Sequence, residues 1–357
     1  PDDLDALLEA MLHDCVSLYK VVTFAKSVLD NFRMLRFLKK HAPSVSLTAH
    51  CMGELSLPSR IIGAILGNHF HYAQLMNHPS PAPHCPDLHS LVNTYRIDTI
   101  NRETKVFALL GDPVAHSVGH IFHNKHFSDL GINAVYIKMQ LRQDQLTSFF
   151  HGIKGLPFEG FSITTPLKMS VMPFVDTCDP YSFKIASVNT LVKKHQRLLA
   201  TNTDGLGALD AIENRRSIKN SHVLILGAGG AARAIAHAIA LRNPASLSIL
   251  NRNLTNAVAL AKKTGASAYD YPSWHASKLH PMGIIVNTVP ITDDGDKAIA
   301  EAIQPHLSSN MLYMGIDYSK PSPLLAEAVA ASGCTMLSPM DLFTHQALRQ
   351  IDYWFQK

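Results

Sequence analysis

The sequence predicts an α/β protein made of successive parallel β/α units, and three observations carry that prediction. Residues 222–252 run as a short apolar strand, a glycine turn and an Ala-rich helix, then a second apolar run that ends in Asn251-Arg252. Residues 1–103 alternate short strand-like and helix-like segments, and residues 105–210 begin the same alternation again. At 357 residues the chain is long enough for two or three domains, and its composition, 46% hydrophobic and 17% charged, is that of an ordinary globular protein.

Apolar spacing assigns the elements in order. Leu4–His13 reads as a helix, Ser17–Ala25 as a strand and Val28–His41 as an amphipathic helix. Ser44–His50 is strand-like, Pro58–Leu66 helical, His69–Leu75 strand-like and Asp87–Tyr95 helical, with a Pro/His-rich loop over His78–Pro86. Ile97–Lys105 is polar and reads as a linker. Val106–Leu110 then starts a second α/β unit, followed by a loop, Gly111–Gly119, a helix and a strand, Ala134–Lys138. Met340–Phe355 has helical spacing and is expected to return to the middle domain, because it needs another apolar face. The expected domains are residues 1–103, residues 104–210 with 336–357, and residues 211–335.

Composition excludes several functions. The net charge is +4, and no Lys/Arg block exceeds pairs such as Lys39-Lys40 and Lys193-Lys194, so there is no nucleic-acid footprint. The longest apolar stretch, around residues 223–241, is broken by Arg233, His237 and glycines and does not read as a membrane span. Five scattered cysteines without C-x-x-C spacing read as reduced thiols of a cytoplasmic protein. The acidic start, Pro1-Asp2-Asp3-Leu4-Asp5, shows no signal peptide, and the missing initiator Met is expected of a fragment or a processed product.

The glycine turn carries the first functional reading. Bare backbone at Gly227, Gly229 and Gly230 lets a pyrophosphate approach a helix N-terminus, where free N–H groups and the helix dipole favour anions. A tight helix–strand crossing would also use such glycines. The position after the second strand discriminates: an acid there suits the ribose 2′-hydroxyl of NAD, whereas Arg252 suits a 2′-phosphate. This stretch is therefore expected to bind NADP, which points to hydride transfer.

The middle domain places polar clusters on loops: Gly111–Ser117, Phe161–Lys168, Ser187–Thr190 and Asn202–Gly205, with Gln346 in the final helix. Lys168 and Asp204 suit a carbonyl reduction. Hydride reaching a ketone carbon leaves charge on oxygen, which an ammonium can stabilise and protonate. A carboxylate beside it keeps that ammonium charged and oriented. Spacing alone leaves the plain alternatives open, a surface lysine at a helix start and an aspartate cap. Histidines at 116, 120, 123 and 126 have near-helical spacing, but this chemistry needs no metal and none is expected.

The ordered set Gly-x-Pro-x-x-His-Ser, Thr-x-Pro-x-Lys, Val-Asn-Thr, Asn-Thr-Asp-Gly, Gly-Ala-Gly-Gly-Ala, Asn-Arg and Gln-Ala, from Lys105 to Lys357, resembles shikimate dehydrogenase. The resemblance implies NADPH-dependent reduction of 3-dehydroshikimate, with Lys168 and Asp204 as the catalytic pair. It implies that Ser117, Thr164, Asn189 and Gln346 bind shikimate, and that Gly227, Ala228, Gly229, Gly230, Ala231, Asn251 and Arg252 contact NADP in a Rossmann domain. Three departures stand out. The family's Ser-x-Ser-Pro reads Ser117-Val118-Gly119-His120, which removes a carboxylate-binding hydroxyl. A hydrogen bond to a charged group is worth ~1.5–3 kcal/mol. Ser162 replaces an Asn, and the family's Asn-Ala-Thr-Ser-x-Gly reads Asn287-Thr288-Val289-Pro290-Ile291.

In the first segment, Lys20 sits among apolar residues, where desolvation would disfavour its charge and make it a nucleophilic amine, although a snorkelling edge lysine fits equally. With Met52-Gly53-Glu54 and Ser59-Arg60 it resembles the C-terminal part of type I 3-dehydroquinate dehydratase, a (β/α)8 barrel. The resemblance implies Lys20 as the Schiff-base lysine and Arg60 as the carboxylate-gripping arginine. A barrel takes ~250 residues, so only a partial barrel segment is present, and the family's Ala-Pro-Gly-Gln reads Ala82-Pro83-His84-Cys85. The order resembles bifunctional shikimate-pathway enzymes of aromatic amino acid biosynthesis. This chain alone is expected to lack useful dehydratase activity, and an open sheet edge is expected to favour pairing into a homo-oligomer. Quinate dehydrogenase and a non-catalytic metabolite sensor are the alternatives.

Overall fold

The computed structural model describes residues 3–356 except 76–77, 79–81, 83, 278–280, 290–292 and 317–322. The chain divides into two compact units, residues 1–177 with 190–199, and residues 178–189 with 200–357.

The first unit opens with helix Leu4–Met11, started by the Asp3 carboxylate, which accepts from the Asp5 and Ala6 amides. Strand β1 (Tyr19–Phe24), helix Asp30–His41, strand β2 (Leu47–Met52) and helix Leu57–Leu66 follow. β1 and β2 pair in parallel, with Tyr19 opposite Leu47, over a core that includes Leu8, Val21, Leu38 and Ala49. The stretch His69–Leu75 departs from the strand expected of it. Side chains take the bonds that a ladder on β2 would need: Asn68 Oδ1 accepts from Ala49 N–H at 2.8 Å, and Thr48 Oγ1 accepts from Phe70 N–H at 3.2 Å. What remains is one backbone bond to β2, from His69 N–H to Leu47 O at 3.1 Å, and an isolated bridge between Gln74 and Asp87. Asp87–Tyr95 winds wider than an α-helix, with a π turn over Ser90–Thr94 closed by Tyr95 N–H on Ser90 O at 3.0 Å.

Helix Asp30–His41 also packs on the rest of this unit. Phe32 meets Phe149 and Phe158 edge-on at 5.5 and 6.2 Å, and Arg36 donates to Gly152 O at 2.8 Å. Strands β3 (Lys105–Gly111), β4 (Ala134–Gln140), β5 (Phe158–Ile163), β6 (Thr177–Cys178), β7 (Thr190–Lys194) and β8 (Arg197–Thr201) form a sheet in the order β4-β3-β5-β7-β8-β6. β3 pairs in parallel with β4 and β5, while β5 and β7 are antiparallel, Phe161 opposite Leu191. Because β3 and β5 are parallel neighbours, the loops that leave their C-terminal ends adjoin. Asp112 N–H bonds Thr165 O at 3.0 Å, and Thr164 N–H bonds Leu110 O at 2.9 Å.

The second unit holds β9 (His222–Leu226), β10 (Ser246–Leu250), β11 (Ser267–Tyr269), β12 (Ile284–Asn287), β13 (Leu312–Gly315) and β14 (Thr335–Leu337), in the order β11-β10-β9-β12-β13-β14. Every neighbouring pair is parallel. Alternate residues of β9 feed two cores: Val223 and Ile225 join Ala232 and Ile235, and Leu224 and Leu226 join Trp274 and Tyr313. The strand order reverses at β9, so the loop after it opens at a topological switch point, where such sheets bind ligands. Helix Pro339–Phe355 lies on helix Asp204–Glu213. Their approach requires Gly207, where a Cβ would sit 2.7 Å from Gln346 N, and Arg349 forks Asp210 at 2.5 and 2.8 Å. No helix among the described residues is long and apolar enough to cross a membrane, and all five cysteines are free.

Candidate functional site

In the second unit the fold gathers three of the expected site residues around one amide. Asn189 is 2% exposed, and its Nδ2 faces Asp204 Oδ1 at 2.7 Å, Thr203 Oγ1 at 3.0 Å and Gln346 Oε1 at 3.3 Å. Its Oδ1 accepts from Thr203 N–H at 2.8 Å, and its carbonyl accepts from Gln350 Nε2 at 3.1 Å. Asp204 opens helix Asp204–Glu213, and its amide is held by Asn202 Oδ1 at 3.0 Å. A carboxylate at a helix N-terminus, facing an amide donor, is held as an oriented anion. Thr203, Asn202 and Gln350 were not singled out from sequence. Thr203 and Asn202 belong to the Asn-Thr-Asp-Gly motif, whereas Gln350 carries no sequence signal beyond its position one helical turn after Gln346.

In the first unit the loops after β3 and β5 carry Ser117, Thr164 and Lys168. Ser117 Oγ accepts from Gly119 N–H at 3.2 Å, at the start of helix Gly119–Asp129. Gly119 sits close to its neighbours: a Cβ there would lie a tight 3.3 Å from Ser117 Oγ and 3.6 Å from Tyr136 Oη. Lys138 Nζ donates to Ala115 O at 2.9 Å. The Thr164 carbonyl accepts from Leu167 N–H at 2.8 Å, which turns the chain so that Lys168 stands half-buried on the short helix Leu167–Ser170. Ser162 is buried within β5. The four loop and helix histidines form no metal-ligand group among the described residues. His123 is buried and stacks on Tyr136 at 4.4 Å, and burial, then the Lys138 charge, pushes His120 down to about 4.

The glycine turn fits a dinucleotide. Gly227 has φ of 104°, a conformation that side chains disfavour, and its N–H bonds Leu250 O at 2.8 Å. A Cβ on Gly229 would meet nothing within 4 Å, so the turn leaves open space in front of helix Gly230–Ala240. Ala228 is buried beneath the turn, and Ala231 lies in the first turn of that helix. Asn251 is anchored through Nδ2 to Asn253 O at 2.8 Å, and Arg252 beside it is exposed. An open cradle with an exposed cation beside the next strand suits a dinucleotide with a 2′-phosphate. Thr288 Oγ1 donates to Leu226 O at 2.7 Å, whereas Pro290 and Ile291 of that departure lie outside the described residues.

The N-terminal cluster bears on the two readings that the sequence leaves open for Lys20. Lys20 is exposed on β1, with Nζ 3.8 Å from the Tyr72 ring centre, and is not enclosed by apolar groups. Its apolar sequence neighbours point to the other face, because strand side chains alternate, and the sheet here has two strands. Arg60 is 5% exposed, bonding Ser56 Oγ at 3.3 Å and Cys85 Sγ at 3.9 Å, and lines a small cavity with His50, His71 and Tyr72. Burial, then the charges of Arg60 and Lys20, pushes His50 down to about 3. The alternation of β2 could have marked His50, whereas Tyr72 reaches Lys20 only through the fold.

The type I 3-dehydroquinase model matches residues 1–102, the shikimate dehydrogenase substrate binding domain residues 109–191, and the shikimate/quinate 5-dehydrogenase model residues 210–289. The shikimate biosynthesis protein AroDE of Chlamydia pneumoniae is 34% identical over 358 residues, covering 99% of this chain and 71% of its own length. The NADP(+) shikimate dehydrogenase of Methanobrevibacter smithii is 33% identical, covering 71% of this chain and 92% of its own. Among solved structures, the Thermus thermophilus shikimate 5-dehydrogenase in complex with NADP(H) and shikimate is 25% identical at a TM-score of 0.63, covering 71% of this chain and 94% of its own.

Proposed function

Because the chain belongs to the shikimate dehydrogenase family, in the form that follows a type I 3-dehydroquinase segment, we propose that residues 105–357 reduce 3-dehydroshikimate to shikimate with NADPH. The observation that carries this reading is the Asn189 amide, which holds Asp204, Thr203 and Gln346 as one set in the unit that also bears the glycine turn. The proposed domains are residues 1–103, residues 104–210 with 336–357 as the shikimate-binding domain, and residues 211–335 as the NADP-binding domain. The five free thiols fit a cytoplasmic setting.

Bound NADPH supplies the hydride to the ketone carbon. Lys168 donates the proton to the carbonyl oxygen as charge develops on it, and Asp204 is the second member of the proposed catalytic pair. Ser117 and Thr164 hold the carboxylate end of the substrate, while Asn189 and Gln346 take its hydroxyls. Gly227 to Ala231 present backbone to the pyrophosphate, and Asn251 and Arg252 take the adenosine ribose and its 2′-phosphate. In the N-terminal segment Lys20 is the proposed Schiff-base lysine and Arg60 the proposed carboxylate-gripping arginine of a dehydratase site.

The test is reduction of NADP with shikimate, run beside NAD and quinate. Turnover with shikimate and NADP supports the reading, and faster turnover with quinate replaces it with quinate dehydrogenase. Ligand binding without turnover identifies a sensor.

A further inference from the structure

We propose that Lys138 supplies the charge that holds the substrate carboxylate at the Ser117 loop, in place of the hydroxyl absent at Gly119. The inference rests on the reading of Ser117 as a carboxylate-binding residue. Ser117 Oγ accepts from Gly119 N–H, so its own proton can go to one carboxylate oxygen. The second oxygen then faces Gly119, which offers no side-chain donor. Lys138 stands on β4 beside this loop, and its Nζ donates to Ala115 O at 2.9 Å and to Ser117 O at 3.5 Å. An ammonium has three protons and these carbonyls take two, which leaves one donor and the ammonium charge, which burial makes easier to lose, on the loop that bears Ser117. Among the described residues no carboxylate pairs with Lys138. Of the rings around this loop, the Tyr136 hydroxyl lies beside Gly119, and burial keeps His120 uncharged at neutral pH. The half-buried Lys138 is therefore the cation of this loop, and in a partly desolvated setting its attraction for an anion is felt over several ångströms.

The test is calorimetric binding of shikimate and of its uncharged methyl ester to wild type, Lys138→Gln, Lys138→Met and Lys138→Arg, with melting temperature and NADP affinity as folding controls. Lys138→Gln keeps a donor for the loop carbonyls but removes the charge. Lys138→Gln and Lys138→Met are expected to weaken shikimate binding about tenfold, which is ~1.4 kcal/mol, and to leave the ester unchanged. Lys138→Arg should stay within about threefold of wild type, and wild-type affinity for shikimate should fall with added salt. Wild-type shikimate binding in Lys138→Gln overturns the proposal. Equal losses for acid and ester also overturn it, because they make Lys138 a mere anchor of the loop. A wild-type protein that binds shikimate but does not reduce NADP refutes the proposed function and leaves this inference standing. One that binds neither ligand refutes both.

Discussion

Replacing Asn189 by Asp changes one atom's chemistry at the centre of the buried network. The new side chain keeps an acceptor for Thr203 N–H, but it sets an oxygen where Nδ2 stood, 2.7 Å from Asp204 Oδ1. Two full negative charges at that separation repel by about 6 kcal/mol at an effective dielectric near 20. The introduced carboxyl escapes this repulsion by keeping a proton in the folded state, whereas in the unfolded chain it ionises near pH ~3.9. Its folded pKa is thus raised, so the variant comes closest to wild type below about pH 4 and loses ground as pH rises. The loss is about 1.4 kcal/mol per pH unit, reaching ~4 kcal/mol at pH 7 if the proton is still held. Urea unfolding of both proteins at a series of pH values from about 5 to 8 reads this directly. A stability gap that does not change with pH would show that the Asn189 amide does not face a carboxylate, and would refute the network.

Three further outcomes are expected. Lys168→Ala should lower kcat by at least ~100-fold, the scale of a lost general acid, with NADP binding retained; near-normal kcat would sink the assignment. Arg252→Asp should erase the preference for NADP over NAD, measured as the ratio of kcat/KM, and an unchanged ratio would contradict the role of that cation. His120 is held down at about 4, against 6.5 for an ordinary histidine. As pH falls through that window the unfolded chain takes up the proton first, so stability is lost between about pH 6.5 and 4. His120→Gln should flatten that part of the acid unfolding curve, and an unaltered slope would show that His120 is not the group responsible.

Much of this molecule was legible along the chain. The order strand, glycine turn, helix is local, since it depends on apolar runs and on the one residue that adopts the φ of Gly227 without strain. Arg252 was legible for the same reason, because it follows the second strand by a short, countable step. The middle clusters were visible as polar residues punctuating strand ends, and their family order added to that. His69–Leu75 has the spacing of a strand, yet Asn68 Oδ1 takes the Ala49 N–H and Thr48 Oγ1 of β2 takes the Phe70 N–H in place of a continued backbone ladder. Nothing in hydrophobic periodicity reports that competition.

What the sequence by itself determined is therefore the chemistry that one segment carries alone: the dinucleotide turn, its cation, and the residue types available for reduction. Only the tertiary structure decided which of those residues meet. Asn189 reaches Asp204 and Gln346 because Gly207 lets two helices close to backbone contact, and Lys138 reaches the Ser117 loop because β4 lies beside β3. Hydrogen bonds act over about 3 Å, so such meetings depend on packing and register that no local window of residues contains.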